Sequence, residues 1–173
     1  WYLPDGTKYN FSTKVTEDIT LKALWEENSA TATVTFTVKD DAGNVVGGAQ
    51  IKIDGKTKET LSDGTVAIDG LPKKADLAYE VTKVGYVSAS GTIDLTAGDK
   101  QETVTLERVT YTVTFDSDGG SAVDKQNVKY NEKATEPKPA PNREGFMFNG
   151  WYLDGATESY DFTKPVNADI TLK

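Results

Sequence analysis

The chain has 173 residues and a mass of 18.8 kDa, carries a net charge of −8 at pH 7, and contains neither cysteine nor histidine. The missing residue types exclude disulfides, thiolate nucleophiles, zinc fingers and Ser-His-Asp triads within it, and the acidic balance argues against nucleic acid or an anionic membrane surface, which need Lys and Arg gathered on one face. No window approaches the roughly 20 apolar residues of a spanning helix, so no membrane insertion by this chain is expected, while 37% hydrophobic and 10% aromatic content suits folded β modules.

At the start of the chain stand Trp1-Tyr2-Leu3, Tyr9-Asn10-Phe11 and Asp18-Ile19-Thr20-Leu21-Lys22. They return as Trp151-Tyr152-Leu153, Tyr160-Asp161-Phe162 and Asp169-Ile170-Thr171-Leu172-Lys173. The offset is 150 between Trp1 and Trp151 and 151 between Ile19 and Ile170, so two copies of one text lie a period apart, with a one-residue length change in the turn between them. Residues 1–28 read as the C-terminal half of a repeat, with Leu21 and Trp25 on one strand face. A strand segment without its sheet leaves an unpaired edge and exposed aromatics, so residues 1–25 are expected to pack on another copy or to be poorly ordered. Glu26-Glu27-Asn28-Ser29 reads as a short polar joint.

Residues 29–109 read as successive strands. Val34, Phe36 and Val38 face one way, as do Ile51 with Ile53, Val66 with Ile68, Tyr79 with Val81, Ile93 with Leu95, and Val104 with Leu106. Turns are expected at Asp41-Ala42-Gly43-Asn44, Asp54-Gly55, Asp63-Gly64, Asp69-Gly70 and Gly98-Asp99, where Gly or Asn takes positive φ. Short strands at this spacing predict a β-sandwich. The run from Val38-Lys39-Asp40-Asp41 through Gly47-Gly48-Ala49-Gln50-Ile51, followed by Ser62-Asp63-Gly64, Gly70-Leu71-Pro72, Tyr79-Glu80-Val81 and Val84-Gly85-Tyr86, resembles the carboxypeptidase-regulatory-like, transthyretin-like sandwich modules of extracellular proteins. The related collagen-adhesin B-type modules cross-link a first-strand Lys to a last-strand Asn beside a buried carboxylate. Lys39 stands at about that place, but residues 103–108 contain no Asn, so a solvated lysine is expected in preference to an isopeptide bond.

From residue 110 the text changes. Tyr111-Thr112-Val113-Thr114-Phe115 alternates as a strand and runs into a turn at Asp116-Ser117-Asp118-Gly119-Gly120. Pro137, Pro139 and Pro141 forbid a long helix after Ala134 and predict an extended crossing. Residues 145–152 read as an apolar strand, with Phe146, Phe148 and Tyr152 on one face and Met147 and Trp151 on the other unless Gly150 introduces a bulge. The pattern V-T-F-D-x-D-G-G, P-x-P-x-P, G-F-x-F-x-G-W-Y, Y-D-F, P-V and D-I-T-L resembles the Listeria-Bacteroides repeat, the B-repeat of internalin-type bacterial surface proteins. That resemblance implies a small β-grasp-like module used in arrays. In the family pattern an alanine and a tryptophan follow D-I-T-L, as Ala23 and Trp25 do in the first copy, so the second copy is expected to be truncated in its last strand at Lys173.

Carboxylates are the only acid-base groups left, and nearly all the aspartates fall in turns, where they bond their own backbone. No catalytic residue is assigned and no cofactor is expected. Asp40, Asp41 and Asn44, and separately Asp116 and Asp118, are candidate calcium ligands, because a hard cation wants clustered oxygens; turn chemistry is the alternative, and neither run has EF-hand spacing. Trp151 and Tyr152 form a candidate platform for a sugar or a host protein, against the alternative that Trp151 is core and Tyr152 the exposed contact. Lys56, Lys58, Lys73, Lys74 and Lys83 are scattered cations that either meet an anionic glycan or guard strand edges.

The expected architecture is mainly β with very little helix: half a repeat at 1–28, a small transthyretin- or Ig-like β-sandwich at 29–109 and a β-grasp-like repeat module at 110–173. The expected role is a non-catalytic stalk or spacer of an adhesin-like bacterial protein, at the cell surface or secreted, with neighbouring repeats as partners. The competing reading is a recognition module for a glycan or host surface protein, accessory to a catalytic domain elsewhere in the parent chain.

Overall fold

The computed structural model describes residues 1–25 and 30–173, so the joint expected at residues 26–29 lies outside the described residues. Two compact units result, Trp1–Ala30 and Thr31–Lys173. The described residues form strands in three sheets and no helix, the mainly β, sandwich-like class that alternation predicted.

In the larger unit two sheets face each other. One has the order β4-β1-β7, from β1 (Thr31–Asp40), β4 (Thr65–Pro72) and β7 (Lys100–Leu106); the other has the order β3-β2-β5-β6, from β2 (Gln50–Ile53), β3 (Lys56–Glu59), β5 (Leu77–Thr82) and β6 (Ala89–Ile93). β1 pairs antiparallel with β4 and parallel with β7, setting Val38 opposite Val104. Its alternation buries Val34, Phe36 and Val38 completely, against Ile51, Ile53, Ile68, Leu71, Val81, Ile93, Leu95 and Leu106. At about 25 cal/mol per Å² of apolar surface removed from water, this cluster is the main source of the unit's stability. Asp54 and Gly55 both take positive φ in the tight turn between β2 and β3.

Asp69-Gly70 departs from expectation. Both residues lie inside β4, and the partners of β1 shift from Ala32↔Leu71 to Val34↔Ile68, so two residues of β4 stand opposite Thr33. This is a bulge, in which Gly70 has φ +65. A bulge and a turn ask for the same glycine conformation, which is why spacing alone did not separate them.

The third sheet has the order β10-β8-β9, from β8 (Thr110–Phe115), β9 (Gln126–Lys129) and β10 (Ile170–Leu172), with β8 and β10 parallel. Its own core gathers Val113, Phe115, Val128, Ala134, Trp151, Val166 and Leu172. The strand expected at 145–152 does not form. Gly150 takes φ +120 and interrupts the extended run, so Phe146 and Met147 are both exposed while Trp151 is only 2% exposed, and the two-faced alternation fails. What remains of ladder pairing there is Tyr152 and Lys173 exchanging two N–H···O bonds of 2.8 Å beside the Leu153–Leu172 bridge.

The N-terminal unit repeats that local skeleton. Tyr2 and Lys22 exchange bonds of 2.9 and 2.8 Å as Tyr152 and Lys173 do, the Tyr9 N–H donates to the Trp1 carbonyl at 3.0 Å as Tyr160 does to Trp151 at 2.6 Å, and Tyr9–Phe11 matches Tyr160–Phe162 as an edge-on ring pair at 5.0 against 4.9 Å. Burial is not repeated. None of residues 1–25 is buried, and Trp1 is 60% exposed.

Candidate functional site: the joint between sandwich and repeat module

The connection from β7 to β8 runs through Glu107, Arg108 and Val109, and the chain on both sides is stitched to it. Val87 N–H donates to the Glu107 carbonyl at 2.8 Å, Val109 N–H to the Gly85 carbonyl at 2.9 Å, and Tyr130 N–H to the Val109 carbonyl at 2.7 Å. So few connecting residues leave no free chain, and each finds a partner from one core or the other.

Side chains lock the same place. Asp41, at the hairpin tip after β1, accepts from Arg108 Nε at 2.7 Å and from Lys129 Nζ of β9, while Arg108 Nη1 donates to Glu132 Oε1 at 2.9 Å. The Asp41 and Arg108 side chains are only 8% and 14% exposed. Hydrogen bonds from Arg108 and then Lys129 hold the Asp41 carboxyl well below the usual carboxylate range, and the same carboxylate raises both cations. Asp40 is buried beside them. Burial alone would raise it, but donation from the Asn44 side chain and amide, from the Ala42 amide, and the nearby Arg108 charge outweigh that and lower it. Tyr86 and Tyr130 close the joint edge to face with ring centroids 5.6 Å apart, and Gly85, at φ +85, leaves the room that the Tyr130 ring fills.

Arg108 therefore joins residues 67 and 24 positions away in opposite directions along the chain. No local spacing carries that signal. The nearest hint in the sequence is the shortness of the link between the two patterns.

The residues singled out from sequence fall in different places. Asp40 and Asn44 serve the hairpin turn, and Asp41 spends its oxygens on Arg108 and Lys129, so this run holds protein cations and amides. Asp116 accepts from the Asp118 amide at 3.1 Å, and Asp118 pairs with Arg143 at 3.2 Å. Among the described residues no cluster of three or more His, Cys, Asp or Glu has metal-binding geometry. Lys39 is exposed on β1 opposite Thr105 of β7. Trp151 lies in the core against Phe115 and Phe148, whereas Tyr152 is half-buried with its hydroxyl donating to the Asn149 carbonyl at 3.2 Å. Trp151 and Tyr152 thus do not form one exposed platform. Lys56 and Lys58 sit on edge strand β3, with Lys58 paired to Asp69 at 3.1 Å, and Lys83 donates to the Gly48 carbonyl at 3.0 Å.

The sequence model of the Listeria-Bacteroides repeat domain matches residues 111–173. A curated relative from Evansella cellulosilytica, the "Putative Gly-rich membrane protein", is 48% identical over 64 residues, which cover 36% of this chain and 7% of that protein. The chain thus spans a small part of the relative's length. Among solved structures, the Bacillus anthracis TIE protein aligns at a TM-score of 0.45 and 13% identity, covering 82% of this chain and 33% of that one. The Streptococcal ancillary pilin aligns at 0.34 and 12%, covering 95% and 68%.

Proposed function

We propose that this chain is a non-catalytic stalk or spacer segment of a bacterial cell-surface or secreted protein, in which a transthyretin-like sandwich and Listeria-Bacteroides-type repeats alternate and hold a binding domain at a distance. The observation that carries the reading is the joint: Asp41, Arg108, Lys129 and Glu132 tie the sandwich to the repeat module across a connection with no slack. A spacer's reach depends on fixed angles between modules, and a joint of interlocked charges, stacked tyrosines and shared backbone bonds restricts them. The 48% identity to part of a protein named for the membrane supports a place at the cell envelope. Neighbouring repeats are the partners this reading requires.

The chain has no cysteine, so paired spin labels can be placed on it without background. Labels at Glu59→Cys and Glu158→Cys, both exposed, report the angle between sandwich and module. A narrow distance distribution that broadens in Arg108→Ala is expected. A distribution as broad in the parent chain as in the variant overturns the rigid-spacer reading, and saturable binding of a saccharide on a glycan array favours recognition instead.

A further inference from the structure

The repeat module has a groove of about 190 Å³ lined by Asp116, Phe146, Met147, Phe148, Trp151 and Lys173. Two things are missing from it. Phe146 and Met147 are 66% and 91% exposed, so its apolar rim has no cover. The Trp151 indole N–H is buried and has no acceptor among the described residues, although a buried tryptophan usually finds one.

The internal repeat indicates what fits. In the first copy Leu21-Lys22, the counterpart of Leu172-Lys173, is followed by Ala23-Leu24-Trp25, and Leu24 and Trp25 are 62% and 88% exposed. In the second copy β10 runs parallel to β8 with Leu172 opposite Phe115, and the Asp116 amide donates to the Leu172 carbonyl at 2.8 Å. Continuing that ladder residue by residue leads past Lys173 alongside Ser117 and Asp118, which line the groove. Strand alternation places the counterparts of Ala23 and Trp25, two and four residues beyond Leu21, on the same inward face as fully buried Leu172.

We propose that this groove is the seat of an Ala-Leu-Trp segment joined to β10. The segment extends the parallel ladder, lays its indole on the Phe146–Phe148 rim and supplies a backbone carbonyl to the Trp151 N–H. A module so filled closes its core with text that lies beyond the D-I-T-L motif, and the seam between successive modules is sealed by an aromatic plug. The inference stands on repeat geometry and is independent of the spacer reading.

The test compares the full chain carrying Ala-Leu-Trp after Lys173 with the same chain carrying Ala-Leu-Ala. The tryptophan version is expected to melt about 5 °C higher, and its Trp151 indole N–H resonance is expected to move downfield and exchange more slowly with solvent. Phe148→Ala in the extended chain should erase the difference. Equal melting temperatures for the two extensions, or an indole resonance identical in both, overturn the proposal. Concentration-dependent stabilisation of the unextended chain that disappears in Trp25→Ala would assign the seat to a second molecule and refute the joined segment.

Discussion

Replacing Gly85 by alanine tests the joint without touching a charge. At φ +85 an L side chain costs about 1–2 kcal/mol. The new Cβ would stand 2.4–2.5 Å from three atoms of the Tyr130 ring, a distance that requires the ring to leave, taking with it the edge-to-face contact with Tyr86. That contact contributes about 0.5–1.5 kcal/mol, so the loss sums to about 2–3 kcal/mol. Gly55→Ala is the control, because its φ is +74 and nothing lies within 4 Å of its added Cβ. It carries the backbone cost alone. At roughly 2–4 °C per kcal/mol for a unit of this size, calorimetry should show Gly85→Ala melting several degrees below Gly55→Ala. The spin-label distribution should widen only in the Gly85 variant. Equal melting temperatures and equal distributions would show that the Tyr86–Tyr130 contact does not fix the joint.

Two further outcomes are expected. Trp151→Ala removes the largest fully buried side chain of the repeat core and should cost about 3–5 kcal/mol, whereas Trp1→Ala, the same position in the first copy, should stay within about 0.5 kcal/mol; thermal unfolding followed by near-UV circular dichroism reads both, and similar losses would refute the difference in burial. Asp41, whose folded-state carboxyl is lowered by Arg108 and Lys129, contributes stability that is complete above the ordinary carboxylate value of about 3.9 and declines as pH falls below it. The gap in melting temperature between the parent chain and Asp41→Asn should therefore be constant from pH 7 to 5 and shrink below about pH 4; a gap unchanged into stronger acid would count against the ion pair.

Alternation made the sandwich legible because every second residue of β1 meets the same apolar layer, and period two admits no other reading for Val34, Phe36 and Val38. It misled at residues 145–152, where the same alternation of aromatics is cut by one positive φ at Gly150, and the outcome is a buried tryptophan between two exposed stretches. Asp69-Gly70 failed for a related reason, since a glycine signal states a dihedral and not the element that uses it. The joint was illegible at any spacing. Asp41 looked like a hairpin-tip carboxylate with room for a cation, and the cations it holds come from 67 and 88 residues further on.

The two copies separate what a repeat's text determines from what its neighbours determine. Hydrogen bonds within Trp1–Lys22 reproduce those within Trp151–Lys173 nearly one for one, so backbone pairing and Asx turns such as Asn10 to Ser12 and Asp161 to Thr163 need nothing beyond the segment itself. Burial needs β8 and β9. Trp151 disappears beneath Phe115 because β8 lies beside β10, and Trp1, on the same local skeleton, has only solvent and its own short loop. A local skeleton of backbone bonds contributes little net stability, because each bond merely replaces one to water, while the apolar face supplies the driving force once it is covered. The cooperative unit of the array is therefore the hairpin of β8 and β9 together with whichever Trp-Tyr-Leu to Asp-Ile-Thr-Leu segment lies on it. Its stability is set at the seams, where a stalk must resist bending.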